Sequence, residues 1–336
     1  MIESSKKAQN SRIVSPKEKT VDQGDFQNVL RPKKLEDYVG QKIIKKHLMV
    51  SISSAKIREE SLDHILFYGP PGLGKTTISN IIAGEMETTL RSTSGPAIEK
   101  QSDLVSILSN LEENDILFID EIHRLRPQVE EILYTAMEDF CIDIMVGSGT
   151  GAQSVKMPLK PFTLVGATTR LSSISSPLRD RFGNVLKLDF YSNEDLSKII
   201  ERNATVLEMS LPKNTLDVIA KKSRGTPRIV NRLLKIVRDY HTIGKNVEDE
   251  TVLAEIFTDI GIDELGLDYL DRKYLNTIWK NFKGGPVGLN TISAAIGEEE
   301  ATLEDVVEPY LLQIGFLERS SRGRKLTLKS LTHLQK

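Results

Sequence analysis

Eight residues, "GPPGLGKT" (Gly69 to Thr76), combine three glycines, a lysine and a hydroxyl at fixed spacing. Glycines in such a run let backbone N–H groups turn inward around a phosphate, and a following helix offers its positive end to the same anion. Lys75 then reaches the β- and γ-phosphates of ATP, and the Thr76 hydroxyl is placed to ligate Mg²⁺. Gly72, Leu73, Gly74 and Thr77 complete the loop and first helical turn around the nucleotide. At average glycine usage, a chance match in a chain this long is on the order of one in a hundred. A second stretch, "ILFIDEIH" (116–123), is an apolar run ending in two carboxylates. Alone, it fits a solvated strand end equally well. Beside a phosphate loop it gains a role: Asp120 in the Mg²⁺ shell and Glu121 polarising the attacking water. His123 is read as structural, because Glu121 already fills the place of a base.

Three further groups depend on those two. In "FTLVGATTR" (162–170), Thr169 at the strand tip could orient the water or sense the γ-phosphate. Arg228, opening a helix behind Pro227, could reach phosphate, yet Arg228, Arg232 and Lys235 also form the stripe of a solvated helix face. In "SPLRDRFG" (176–183), Arg179 and Arg181 flank Asp180, and in isolation this is a solvated loop in which Asp180 pairs with and holds both arginines.

The elements that must position these groups follow from the pattern of apolar runs. From about residue 63 to 190, short continuous apolar segments ("HILFYG", "DILFID", "PFTLVGATT") alternate with helical periodicity. That combination indicates a parallel sheet covered by helices on both faces. Within this block, residues 142–146 and 154–159 flank the glycine-rich "GSGTGAQ", which predicts a protruding hairpin over 142–159. After Tyr191 the strands stop. A capping signature at Ser192 and Asp195, then "GTPRIVNRLL" with Thr226 as cap and Pro227 at the first helical position, predict a small helical unit over 192–261. Residues 262–336 read as three helices and a hairpin ("FLERS", "RKLTL"), the order of a winged helix.

Charge distribution bears on how that last module would meet DNA. The final 18 residues hold six basic side chains (Arg319, Arg322, Arg324, Lys325, Lys329 and Lys336) and no acid, whereas 297–309 holds six acids and no base. Six carboxylates on the third helix disfavour its entry into a major groove. The wing, with Arg319, Arg322 and Arg324, is the better contact, with backbone phosphates and little sequence preference, although taken alone the same bases also fit a basic tail with no ligand.

These elements together carry a resemblance. "GPPGLGKT", "LFIDEIHR", "GATTR", "SPLRDRFG" and "GTPRIVNRLL" stand in the order expected of AAA+ ATPases. The span from "LRPKKLEDYVGQ" to "FLERSSRGR", about nine-tenths of the chain, resembles the RuvB family of Holliday-junction branch-migration motors. The resemblance implies an α/β P-loop ATPase domain (26–191), a helical lid (192–261) and a winged-helix head (262–336). Residues 1–25, polar and almost free of large apolar groups, read as a mobile tail that is longer than the family's usual one. It implies a homohexameric ring that binds ATP and Mg²⁺ between subunits and drives double-stranded DNA at a four-way junction. It also implies a RuvA-type partner docked on the 142–159 hairpin and a RuvC-type resolvase in the same assembly. By the same resemblance Leu30, Arg31 and Tyr191 line the nucleotide pocket, Thr169 is the sensor of the central strand, and Arg228 is a second sensor. Arg181 is the arginine finger acting on the neighbouring subunit, with Arg179 beside it. Where the family usually has proline before "RGR", this chain has Ser321.

Bulk properties set outer limits. Among 336 residues, 39% are hydrophobic and 27% charged, with a net charge of −2, so any nucleic-acid contact must come from a local patch. The single cysteine, Cys141, allows no internal disulfide and fits a reducing compartment. No apolar run approaches membrane-spanning length, and a cytoplasmic location is expected. A protein unfoldase of the same superfamily would thread polypeptide with aromatic pore loops, but "LRSTSGPAIEKQSDL" (90–104) has no aromatic residue. An ATP-switched loader or initiator would favour a base-reading helix, which the acidic 297–309 stretch opposes.

Overall fold

The computed structural model describes residues 29–146 and 153–335. The expected tail over 1–25, the hairpin tip "GSGTGA" and Lys336 lie outside the described residues. The described residues fall into two compact units, one spanning Arg31–Tyr191 and one joining Val29 and Leu30 to the residues from Ser192 to Gln335.

The first unit opens with α1 (Lys42–Arg58), whose Ile44, Leu48, Ile52 and Ala55 form a buried stripe at helical spacing. Then β1 (Ile65–Tyr68), α2 (Lys75–Met86), β2 (Leu90–Ser94), α3 (Gln101–Ser109), β3 (Ile116–Asp120) and α4 (Pro127–Glu138) alternate. After the hairpin β4 (Cys141–Val146) and β5 (Gln153–Pro158) come β6 (Thr163–Thr168), the short α5 (Ser176–Arg179) and β7 (Asn184–Lys187). Five strands form one parallel sheet in the order β2-β3-β6-β1-β7. All six residues of β6 are buried, as are the first four of β3, which is why these strands read as unbroken apolar runs rather than alternating ones. The β4–β5 pair is a separate antiparallel ribbon, with Ile142 opposite Met157 and Asp143 opposite Lys156. A core of Leu66, Leu117, Leu133, Phe162, Leu164 and Phe182, among others, fills one face of the sheet.

The second unit contains the helices α6 (Asn193–Val206), α7 (Lys213–Lys222), α8 (Pro227–Thr242) and α9 (Glu250–Asp259), then the head. Ser192 caps α6 by accepting the Asp195 N–H at 3.1 Å, as the sequence predicts. Thr226 occupies the cap position of α8, but its hydroxyl donates to the Arg224 carbonyl instead, so the expected side-chain cap is absent. The head comprises α10 (Tyr269–Phe282), α11 (Leu289–Ile296) and α12 (Glu300–Thr302). A π-helical turn (Leu303–Val307) then leads into α13 (Glu308–Gln313), the hairpin β8 (Leu317–Ser320) and β9 (Gly323–Leu326), and α14 (Leu328–Leu334). The last helix follows the basic wing and is absent from the sequence reading. Lid and head share a buried seam. The Arg224 guanidinium bonds both Asp271 oxygens at 2.9 and 3.3 Å with neither group reaching solvent, and stacks over the Tyr310 ring at 4.5 Å.

Candidate functional site

Parallel pairing places the C-terminal ends of β1, β3 and β6 along one edge of the sheet, so the phosphate loop, the two carboxylates and the threonine pair all emerge there. Ligand sites of open α/β sheets form at this kind of edge. The loop from Gly69 to Gly74 is held in a shape that only glycines adopt freely. Gly69 has φ 139°, where a Cβ would meet the Leu188 carbonyl, and Gly74 has φ 98°, where one would sit 3.2 Å from the Tyr38 hydroxyl. Lys75, the first residue of α2 and nearly buried, donates to the Gly69 carbonyl at 2.8 Å and the Pro70 carbonyl at 2.9 Å. Its ammonium therefore lies folded over the loop. Thr76 and Thr77 follow in the first turn of α2, half-buried. A helix of this length beginning at a glycine loop presents several backbone N–H groups and the positive end of its dipole.

Across β6, Asp120 ends β3, and its Oδ1 accepts the Glu121 N–H at 2.9 Å. Glu121 itself has φ 48°, a left-handed backbone that a non-glycine residue adopts at a cost of order 1 kcal/mol or more. Its carboxylate, half exposed, pairs with Arg124 at 3.0 Å. Gly95 is the complement of this turn, because a Cβ there would lie 2.5 Å from the Glu121 carbonyl. Thr169 stands exposed one residue beyond β6. The buried partner is Thr168, whose hydroxyl meets His123 Nδ1 at 3.0 Å and accepts the Arg170 N–H at 2.9 Å. His123 thus ties the carboxylate turn to the tip of the central strand.

Tyr191 is buried, with its hydroxyl 3.0 Å from the Tyr38 hydroxyl and 3.4 Å from the Leu73 carbonyl inside the phosphate loop. Tyr38, packed against Gly74 of the phosphate loop and bonded to Tyr191, is a residue that the sequence pattern does not single out. Its only sequence signal was an aromatic within "LEDYVGQ". Burial, and then the adjoining Tyr191, raise the Tyr38 phenol well above its usual value, which keeps it protonated. In the second unit, Leu30 is buried and its carbonyl accepts from Arg202 at 3.1 Å, and Arg228 is half-buried in the first turn of α8. Arg31, at the start of the first unit, is half-buried as well.

Arg181 follows α5. Its guanidinium donates to the Pro177 and Tyr134 carbonyls at 2.7 and 3.3 Å, pairs with Glu138 at 2.8 Å and lies over the Tyr134 ring at 4.6 Å. Glu138 and Tyr134 on α4 thus fix its pose. Asp180, the expected holder of both arginines, lies 3.8 Å from Arg179, while Arg181 pairs with Glu138 instead. Ser175 supports this corner by capping α5 and donating to Glu130.

In the wing, Arg319 on β8 and Arg324 on β9 are directly opposed in register. Both bond the fully buried Glu308, Arg319 through Nη2 at 2.5 Å and Arg324 through Nε at 2.9 Å, and Glu308 also accepts the Tyr274 hydroxyl at 2.7 Å. Burial, then the Glu308 charge, push the Tyr274 phenol far above its ordinary range. Arg322 is exposed at the turn.

Two absences concern the described residues alone. No helix there is long and apolar enough to cross a membrane. No group of three or more His, Cys, Asp or Glu there could hold a metal ion by itself. A Mg²⁺ ion would therefore depend on Thr76, Asp120 and the phosphates together, the usual mode for that ion. The buried lysine over a glycine cradle fits a phosphate ligand, and the hydroxyl–carboxylate pair fits a hard cation.

Comparison with known proteins covers nearly the whole chain. A family model for the P-loop domain of the Holliday junction DNA helicase RuvB matches residues 30–188. The RuvB AAA lid model matches 191–268, and the RuvB C-terminal winged helix model matches 264–335. A solved structure described as the Thermotoga maritima RuvB Holliday junction branch migration motor is 48% identical, with a TM-score of 0.83, over 91% of this chain and 98% of that one. A single-substitution variant of the same Thermotoga protein gives 48% identity and a TM-score of 0.84 over the same shares.

Proposed function

Because the chain belongs to the RuvB family, we propose that it is an ATP-hydrolysing ring motor that pulls double-stranded DNA through a four-way junction, with a RuvA-type junction-binding partner. The observation that carries this reading is the shared edge where the Lys75 loop, Asp120, Glu121 and the Thr168–Thr169 tip converge. Bound Mg²⁺ would neutralise phosphate charge there, with Thr76 and Asp120 as its protein contacts.

The residues divide the work as follows. Backbone N–H groups of Gly72 to Thr77 and the Lys75 ammonium bind the β- and γ-phosphates, while Leu30, Arg31, Tyr191 and its partner Tyr38 enclose the rest of the nucleotide. Glu121 accepts a proton as water oxygen attacks the γ-phosphorus, the bond to the bridging oxygen breaks, and ADP leaves with that electron pair. For this the carboxylate must turn from Arg124, which its half-exposed, rim position permits. Thr169 orients the water, and Arg228 senses the phosphate from the lid. Arg181, with Arg179 beside it, acts on ATP held by the neighbouring subunit of a hexamer. The β4–β5 ribbon is the docking element for the partner, and a RuvC-type resolvase joins the same assembly. Arg319, Arg322 and Arg324 contact duplex phosphates without reading bases, as a motor passing over any sequence requires. Junction processing of this kind belongs to recombination and repair in the cytoplasm.

The direct test is branch migration of a synthetic four-way junction at low salt, with ATP, with and without a RuvA-type protein. Migration dependent on ATP and on both proteins is expected. No strand separation by the pair would refute the motor reading.

A further inference from the structure

The wing carries more internal charge pairing than a simple basic patch. Two guanidinium groups face each other across β8 and β9, an arrangement that repels unless an anion lies between them. Two carboxylates answer them, and they differ sharply. Glu308 is fully buried, bonded to both arginines and to Tyr274, and it has nowhere to go. Glu304, one turn earlier in the π-helical segment, is 41% exposed and lies at looser distances, 3.5 Å from Arg319 Nη1 and 3.6 Å from Arg324 Nη2. Two positive charges less the Glu308 charge leave room for one further negative charge. Glu304 fills that place from the solvent side, paired with Arg319 Nη1 and with Arg324 Nη2, the second of which Glu308 shares at 3.4 Å.

We propose that the outer edges of Arg319 and Arg324 form a single oxyanion site for a DNA backbone phosphate, and that Glu304 occupies it as a displaceable internal stand-in when DNA is absent. The inference rests on the reading that the wing meets duplex phosphates and names the geometry of that contact. Glu308 and Tyr274 are positioning residues: they hold the two guanidinium planes side by side so that one tetrahedral oxyanion can bridge them. A phosphate arriving at the site replaces Glu304 with the charge balance unchanged, and the released carboxylate turns to water. The contact therefore adds specificity for an oxyanion at one place without leaving an uncompensated pair of cations on the free protein. Like any exposed ion pair, the Glu304 contact is weak and screened by salt, so displacement is easy.

Opposite effects of the two carboxylates test this. Binding of a fluorescent duplex of arbitrary sequence would be measured by anisotropy over a range of salt, for the full chain and for Glu304→Gln, Glu308→Gln, Glu300→Gln and an Arg319→Ala/Arg324→Ala variant. Glu304→Gln should bind about 3- to 10-fold tighter at low salt, with the gain fading as salt rises. Glu300→Gln, the same charge change at an exposed position four residues earlier, should gain much less. Glu308→Gln should bind more weakly than the parent, with thermal unfolding run alongside to establish that the head stays folded. Equal gains from Glu300→Gln and Glu304→Gln would mean a bulk charge effect and would overturn the stand-in role, as would no gain from Glu304→Gln. If the double arginine variant bound DNA like the parent, the wing contact itself would be wrong and the oxyanion site would fall with it.

Discussion

The phosphate loop and the wing both present cations beside tight turns, yet their cations are held in different ways. Lys75 folds onto carbonyls five and six residues before it, inside its own loop. Arg319 and Arg324 are held by a buried acid 11 and 16 residues away, on a different element. Where the backbone of a short segment supplies the partners, the motif and the site are nearly the same thing. Where a distant acid supplies them, a count of basic residues says little about free charge. The six acids of 297–309 and the bases of the wing looked like opposed surfaces in the sequence, but Glu304 and Glu308 from the first bond Arg319 and Arg324 from the second.

The largest effects are expected at the phosphate loop. Lys75→Ala removes the ammonium from the cradle and should abolish ATP turnover together with nucleotide binding. Glu121→Gln keeps binding and should lose turnover by at least about 100-fold, trapping ATP, since only proton acceptance is removed. Isothermal binding and steady-state hydrolysis on the same preparations separate the two. If the glutamine variant hydrolysed ATP at the parental rate, Glu121 would not be the base.

Next in size is Arg181→Ala. Arginine fingers contribute about 10³-fold or more to phosphoryl transfer, so turnover should fall by that order while ATP affinity changes little. Arg181 and Lys75 variants, each inactive alone, should regain some hydrolysis in mixed rings if the finger acts across a subunit boundary. Verified mixed rings without any recovery would point to a role within one subunit. Glu138→Gln offers a finer cut, because it loosens Arg181 without removing it, and a smaller loss is expected.

The smallest effect concerns stability. His64 is buried between β1 and β6, with Nδ1 accepting the Leu164 N–H at 2.9 Å and Nε2 3.0 Å from the Met137 carbonyl. Burial lowers its pKa, outweighing the opposing Met137 contact and the Asp63 charge. The folded state therefore disfavours the proton that the unfolded chain takes up near pH 6.5. Stability from this group is fully present above that pH and is lost as pH falls below it, at up to about 1.4 kcal/mol per pH unit, until the folded-state pKa is reached. Denaturant unfolding from pH 7.5 to 5.5 should show this slope, and His64→Gln should flatten it.

The sequence displayed the parallel sheet well, because strands buried on both faces must be continuously apolar, and β3 and β6 are. It displayed the phosphate loop for the reason already given: glycine spacing is the geometry. It was less informative about the support around each group. Nothing in "DEIH" indicates that Glu121 is left-handed, or that Gly95, some 26 positions earlier, leaves space for its carbonyl. Asp180 looked like the partner of both arginines because it lies between them, but α5 ends there and turns Arg181 toward α4, where Glu138 and Tyr134 lie. Tyr38 and Tyr191 are separated by 153 positions and meet only through the fold. Sequence neighbours reveal chemistry held by backbone; contacts made by packing need the structure.

The central claim is that the two regions serve one motor, so that DNA engaged by the wing alters events at the phosphate loop. Its most direct test is the rate of ATP hydrolysis by the full chain as duplex DNA is added, compared with the Arg319→Ala/Arg324→Ala variant under the same conditions. Duplex should stimulate hydrolysis by the parent, and the stimulation should be lost in the variant. Hydrolysis indifferent to DNA, or stimulation of equal size in both proteins, would contradict it.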